Sequence, residues 1–536
     1  MKIIVRDGQT REAELVAGRT ILSYLQELGI EIDASCAGEG KCGQCIVEVE
    51  APPDALSAVT DSERKFIKAE NQRLACQARI LRTDEQIYVR VPKSGYYILE
   101  SGEYRWIPIE PFVHREGERV FYNSTYMGEY MGALYGIAID IGTTTLAAYL
   151  VDLETGRVVS VSSRQNPQTK YGNNVISRIE YARQGHDILV REIRTAVNDM
   201  IAAMTMTDAD KDIVYELVIV GNPVMRDLFF GFSVESLGKS PYEPESTEPA
   251  LATAKELQLT ANPEARVYGL PLIGSFIGAD ALAVVLATEM YLSKGICLAM
   301  DVGTNTEIVL GNRERLIATS AASGPAFEGA SISCGVGAVQ GAIKEVRIVD
   351  GNIEYKTIGD APPVGICGSG LIDVLAELLE HGMIDGRGKF SFTGGEGEDK
   401  DKDRELRIAD GIKLLETDID QLNLAKTAIA VGVRVLLEKY GISFDDIELL
   451  LLAGGFVNFA NTDNAIRIGL LPPIAREKVK KVGNAALEGA RQALISKQKR
   501  REAEEVAKRI EHIKLEEEQD FMEKFVSELY FQNYLE

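Results

Sequence analysis

The stretch "AIDIGTTT" at residues 138–145 returns in altered form as "AMDVGTNT" at residues 299–306, with alanine, aspartate, glycine and two threonines kept in register. Each copy closes an apolar strand, turns on Gly-Thr and opens a second strand, so the chain is expected to build two related lobes. Gly142 and Gly303 let the turn backbone aim N–H groups at phosphate oxygens, and Thr143, Thr144, Thr145, Thr304, Asn305 and Thr306 add short polar side chains without bulk. Asp140 and Asp301 cannot touch phosphate directly. Facing a triphosphate they need an intervening Mg²⁺, usually through its retained waters, so two opposed turns read as a metal–nucleotide clamp. One such turn alone would serve equally well as a plain hairpin; the pair carries the reading. Neither a Walker loop nor a Rossmann glycine fingerprint is present.

A chain of 536 residues exceeds what one core usually organises, so two or more domains are expected. With 81 acidic against 58 basic residues the net charge is −23, which argues against nucleic acid and anionic membrane as partners. The opening "MKIIVRDGQTREAELVAGRT" lacks the apolar core of a signal peptide and no apolar run reaches membrane-spanning length, so a soluble cytoplasmic protein is expected.

Seven cysteines in so long a chain are not a disulfide framework. Three crowd into "SCAGEGKCGQC" as Cys36, Cys42 and Cys45, and Cys76 follows in "RLACQARI". Four soft ligands at C-x5-C-x2-C-x30-C spacing could hold zinc or an iron–sulfur cluster. Gly38, Gly40 and Gly43 favour the cluster, because a loop wrapped around inorganic sulfide needs close backbone N–H groups and dihedral angles that a Cβ forbids. Around the loop, "MKIIVRD", "REAELV", "CIVEVE" and "EQIYVRVP" have strand character and "TILSYLQELGI" has helical spacing. Cys297, Cys334 and Cys367 stand apart in apolar or glycine-rich contexts and read as buried small residues.

Residues 1–92 resemble a [2Fe–2S] ferredoxin domain of β-grasp fold, in the C-x5-C-x2-C form of vertebrate-type and bacterial hydroxylase ferredoxins rather than the plant-type spacing. The resemblance makes Cys36, Cys42, Cys45 and Cys76 the cluster ligands. The duplicated turn resembles the two phosphate loops of the actin, Hsp70 and sugar kinase superfamily, whose ATPase domain is two-lobed and ribonuclease H-like. In that superfamily's order, "SFIGADALAVVLA" supplies the first connecting helix with Asp280 as the water-orienting carboxylate. "ELLLLAGGFVNFA" supplies the adenosine motif with Gly454 and Gly455, and "VGNAALEGARQAL" the second connecting helix. The expected division is a ferredoxin domain at 1–92, a linker at 93–134 that packs locally without a clear period, and an ATPase domain at 135–536 ending in a charged helix docked on its own domain. The fold class is therefore multidomain α/β and α+β.

"VIVGNPVMRDLFFGF", "SGPAFEGASISCGVGA", "GICGSGLIDVLAELL" and "LAKTAIAVGVRVLL" extend a resemblance to the reductive activators of corrinoid enzymes over nearly the whole chain. This implies ATP-dependent return of cob(II)alamin to cob(I)alamin on a corrinoid methyl-transfer protein, with an electron from the cluster. It further implies a low-potential electron donor, Mg·ATP and a homodimer, alongside the absence of nucleic acid and membrane partners already argued from the acidic composition. Some members carry an extra domain after the linker, and this chain matches the shorter form. The competing readings are an ATP-sensing iron–sulfur regulator without corrinoid reduction, and a sugar kinase, which leaves the ferredoxin domain unexplained.

Overall fold

The computed structural model describes the chain apart from residues 1, 7–9, 29, 31–39, 41–44, 53, 65, 68–70, 85, 91–106, 173, 206–210, 392–403, 456 and 532–536. Its first sheet is built from β1 (Lys2–Arg6), β2 (Thr10–Glu14), β3 (Ile46–Glu50), β4 (Gln72–Leu74) and β5 (Ile87–Arg90), in the order β2-β1-β5-β3-β4. β1 runs parallel to β5 and the remaining neighbours are antiparallel. Helix Ile21–Glu27 lays Ile21, Leu22, Tyr24 and Leu25 onto this sheet against Ile3, Val47, Leu74 and Ile87, the β-grasp arrangement expected from the alternation. Buried Glu63 accepts from Arg73 Nε at 2.8 Å and from the backbone N–H of Leu74 at 3.2 Å, which pins β4 two residues before Cys76.

The region read from sequence as an aperiodic linker contains β6 (Val113–Glu116), β7 (Arg119–Tyr122) and β8 (Thr125–Glu129), an antiparallel sheet of its own. Each of these short strands turns one apolar residue inward, Val113, Val120 and Met127, so no alternation long enough to recognise is generated. Upstream, Glu110 clamps onto a helix junction: its N–H donates to Ile495 O and its carbonyl accepts from Lys497 N, both at 2.9 Å.

Two sheets of matching topology follow. In the first, β9 (Tyr135–Ile141), β10 (Thr145–Asp152) and β11 (Val158–Gln165) form an antiparallel meander, after which β12 (Val214–Gly221) adds parallel to β9. β13 (Ala250–Thr253) and β14 (Arg266–Gly269) complete the order β11-β10-β9-β12-β14-β13. The second repeats the meander with β15 (Ile296–Val302), β16 (Thr306–Gly311) and β17 (Leu316–Ala321). An insertion then carries β18 (Ala342–Val349), β19 (Asn352–Thr357), β20 (Gly365–Ile366), helix Gly368–Glu380, β21 (Glu405–Ala409), β22 (Ile412–Leu415) and helix Glu416–Tyr440. β23 (Ile447–Ala453) returns parallel to β15, β24 (Val479–Gly483) adds outside it and β25 (Ile510–His512) pairs with β17, in the order β24-β23-β15-β16-β17-β25. The internal repeat in the sequence is thus a repeat of sheets.

Helices Ala279–Thr288 and Ala485–Ile495 cross between the lobes and share one core with β9, β12 and β15. The charged tail, expected as one docked helix, docks but is divided into helix Lys497–Ala507, β25 and helix Phe521–Ser527, because Ile510 is drawn into the sheet edge. Its end is held by buried Lys426, whose Nζ donates to the carbonyls of Glu528 and Tyr530 at 2.6 Å. Among the described residues no helix is long and apolar enough to cross a membrane.

Candidate nucleotide and cluster sites

In the first turn Gly142 N donates to Thr145 O at 3.0 Å, and a Cβ at position 142 would lie 2.5 Å from that oxygen. The turn is held from behind. Asn166 Nδ2 donates to Gly142 O and Asn166 N to Thr144 O, both at 2.8 Å, while the Arg178 guanidinium donates to Thr143 O. Arg178 is fully buried, and burial pushes it down to about 10, still a cation at neutral pH. It therefore sets a positive charge directly behind the turn.

In the second turn Gly303 N donates to Asn305 O at 3.1 Å, so the loop is tighter, and Asp301 on β15 pairs in register with Glu307 on β16. In the first turn Asp140 pairs with Ala147 instead. This one difference brings a further carboxylate to the cleft. Asp140, Asp280, Asp301 and Glu307 then feel each other. Burial and the charges of Asp280 and Asp301 hold Asp140 well above the usual carboxylate range, burial and Asp280 push Asp301 up to about 7, and burial raises Asp280 to about 6. Glu307, 7% exposed, is raised by burial and by Asp280 and Asp301.

Two asparagines complete the cleft. Asn222, after β12, caps helix Pro223–Phe230 with its oxygen on Met225 N and donates its amide to Thr143 Oγ1 at 3.0 Å. Asn484, after β24, caps helix Ala485–Ile495 with its oxygen on Leu487 N and bonds Asp140. Each asparagine thus satisfies a helix end and turns its spare donor to the cleft. Glu328, from the short turn Ala326–Glu328, accepts from Thr144 Oγ1 at 3.1 Å and from Thr304 Oγ1 at 3.1 Å. Burial raises its pKa against those hydrogen bonds. Nothing in the local pattern marks Glu307, Glu328 or Arg178, whereas a Gly-Asn pair closing an apolar strand was a readable signal for Asn222.

At the end of β23, Gly454 has φ 110° and a Cβ there would meet Val302 O at 2.4 Å, so glycine at this position is required by the protein's own backbone. Gly455 differs: a Cβ there meets no protein atom within 4 Å. Of the four expected cluster ligands, Cys36 and Cys42 lie outside the described residues, as do Gly38 and Gly43. Cys45 immediately precedes β3 and Cys76 lies two residues beyond the end of β4. Because Ile46 pairs with Leu74 and Ala75 N donates to Cys45 O at 2.7 Å, the two buried cysteines come to the same end of the strand pair. Gly40 has φ 71°, and a Cβ there would meet the Gln77 side chain at 2.9 Å, so Gly40 packs against the residue after Cys76. Cys297 and Cys367 are buried and Cys334 is half-buried, apart from this site.

The raised carboxylates predict a pH dependence. Folding holds protons on Asp301 and Asp280 more tightly than the ordinary value of 3.8, so their contribution to stability is complete below that value and is lost as pH rises through about 6 to 7. One pH unit of displacement corresponds to about 1.4 kcal/mol. In nucleotide-free buffer the melting temperature is expected to fall between about pH 5.5 and 7.5, and Asp301→Asn to flatten that fall. An identical slope in the variant would show that Asp301 is not the titrating group.

The fold and these sites define a class: an iron–sulfur ferredoxin domain joined to an actin-, Hsp70- and sugar-kinase-like ATPase. Residues 4–81 match the 2Fe-2S iron-sulfur cluster binding domain, 135–293 the RACo middle region, and 295–535 the C-terminal domain of RACo, its ASKHA domain. The chain belongs to the RACo family. It is 29% identical to the corrinoid activation enzyme RamQ of Eubacterium limosum, over 94% of this chain and 95% of that one. It is 28% identical to a [Co(II) methylated amine-specific corrinoid protein] reductase of Methanosarcina barkeri, over 74% of this chain and 77% of that one. Among solved structures, a reductive activator for corrinoid, iron-sulfur protein superposes with a TM-score of 0.71 at 28% identity, covering 99% of this chain and 98% of that one.

Proposed function

We propose that this chain reductively activates a corrinoid methyl-transfer protein, delivering an electron from a [2Fe–2S] cluster to cob(II)alamin and using ATP to complete the step. The observation that carries the ATP half is the meeting of the two turns, whose Thr144 and Thr304 hydroxyls lie 3.0 Å apart. The repeated turns form one ATPase unit over residues 135–536, with the phosphates of ATP between Thr143–Thr145 and Thr304–Thr306. Asp140 and Asp301 hold Mg²⁺ through its waters, which suits side chains whose mutual repulsion a cation would relieve. Mg²⁺ supplies charge neutralisation at the terminal phosphates. Asp280 orients the attacking water, Asn484 steers the Asp140 carboxylate, and Gly455 leaves room for the adenosine.

Cys36, Cys42, Cys45 and Cys76 hold the cluster, and the paired positions of Cys45 and Cys76 with the glycine at 40 fit that group. A [2Fe–2S] cluster supplies one electron, at about −400 mV in plant-type ferredoxins, and cob(I)alamin formation calls for a stronger reductant. Each ~59 mV of shortfall costs a factor of ten, so a gap of about 120 mV leaves about one per cent of the cobalt reduced. Lobe closure around ATP supplies the difference by favouring the conformation in which the transferred electron stays on cobalt. The cluster is itself reduced by a low-potential electron donor.

Under anaerobic conditions, with the cluster reduced and a corrinoid methyl-transfer protein in its cob(II)alamin form, cob(I)alamin absorbance is expected to stay low without nucleotide and to approach completion with Mg·ATP. Gly455→Arg should abolish the nucleotide effect. Equal yields with and without Mg·ATP would favour an iron–sulfur protein whose ATPase serves regulation alone.

A further inference from the structure

We propose that Glu328 is a clasp between the two phosphate turns, its carboxylate holding the Thr144 and Thr304 hydroxyls that a nucleotide's terminal phosphate requires, so that ATP enters only by displacing it. This rests on the reading that ATP binds between those turns. Thr144 belongs to the turn between β9 and β10, Thr304 to the turn between β15 and β16, and Glu328 to neither. Glu328 Oε2 accepts from both hydroxyls at 3.1 Å, and Oε1 lies 3.2 Å from Thr304 Oγ1. A threonine hydroxyl has one proton to give, and a proton shared with Glu328 is not available to a phosphate oxygen.

The segment carrying Glu328 is bounded by two glycines. Gly324 has φ 73° and Gly329 has φ 84°, both in the left-handed region, which sets the tight turn that presents Glu328 to the two hydroxyls. Beyond it Ser333 is fastened to Asp418, N to Oδ1 at 2.7 Å and Oγ to Oδ2 at 2.6 Å, so the far end of the loop stays on helix Glu416–Tyr440. A cavity of about 160 Å³ lies against the loop, lined by Gly324, Pro325, Ala326, Ser331, Leu424 and Phe525. Ala326 and Phe327 beside Glu328 are buried in the lobe's core, so the clasp opens by movement of the Glu328 side chain rather than of the loop.

The test is calorimetric titration of the full chain with Mg·ATP and, separately, with AMP, whose single phosphate stops short of the clasp. Glu328→Ala is expected to bind Mg·ATP about three- to tenfold more tightly than the wild type, since a competing set of hydrogen bonds is removed. AMP affinity should not change. Glu328→Gln keeps the shape and an acceptor but loses the charge, and should fall between the two. Mg·ATP affinity unchanged or weakened in both variants, or an equal gain for AMP, would overturn the clasp while leaving the nucleotide site intact. Absence of Mg·ATP binding in the wild type would overturn the nucleotide site and the clasp together.

Discussion

Cys45→Ala is expected to yield colourless protein that still binds Mg·ATP but no longer converts cob(II)alamin to cob(I)alamin. The thiol is buried at the entry to β3, and its backbone oxygen accepts from Ala75 N at 2.7 Å, a bond that alanine keeps. The sheet therefore survives while one of the four proposed cluster ligands is lost. Removing even an outer-shell partner of a metal site costs about 10- to 100-fold in affinity or activity, and losing a ligand should exceed that. Iron and sulfide analysis with visible absorbance reads the first half, and the anaerobic cobalt assay reads the second. Two irons per chain retained in Cys45→Ala would remove Cys45 from the ligand set; Cys334→Ala, apart from the loop, should keep the cluster.

The second large effect is structural. At Gly489 a Cβ would stand 2.1 Å from the carbonyl oxygen of Ala283 and 2.5 Å from its carbon, which is helix Ala485–Ile495 in backbone contact with helix Ala279–Thr288. In a free helix a larger residue would gain about 1 kcal/mol over glycine, so the sign of the substitution depends on this crossing. Gly489→Leu meets backbone rather than a side chain that could rotate away, and is expected to destabilise the ATPase unit by about 3 kcal/mol, the upper part of the overpacking range. The melting temperature should fall and Mg·ATP affinity with it, because Asp280 and Asn484 sit at the starts of these two helices. A melting temperature at or above the wild-type value would mean that the helices do not meet at this residue.

Much of this molecule is written locally. The cysteine loop with its glycines, the two Asp-Gly-Thr turns and the Gly-Gly after β23 each lie within a few residues of chain, and such short-range chemistry keeps its meaning wherever the segment is placed. The two small-residue helices are legible for a related reason: close crossing demands small side chains, and Ala283 and Gly489 supply them. Less legible are strands that own a single inward residue, such as β6, β7 and β8, and the edge strand β25, which interrupts a tail that would otherwise run as a helix.

By itself the sequence determined that two related lobes carry facing carboxylates and that four cysteines stand in a ferredoxin-like frame, because strand patterning and turn chemistry are properties of neighbours along the chain. Only the tertiary structure decided that Glu307 joins Asp301 across one ladder, through a second turn tighter than the first. The same holds for Asn484 reaching back to Asp140, for buried Arg178 behind the first turn, and for Glu328 joining Thr144 to Thr304. These partners are far apart in sequence, and strand register and helix packing alone choose them; a one-residue change in a turn redirects a side chain to the other face of its sheet.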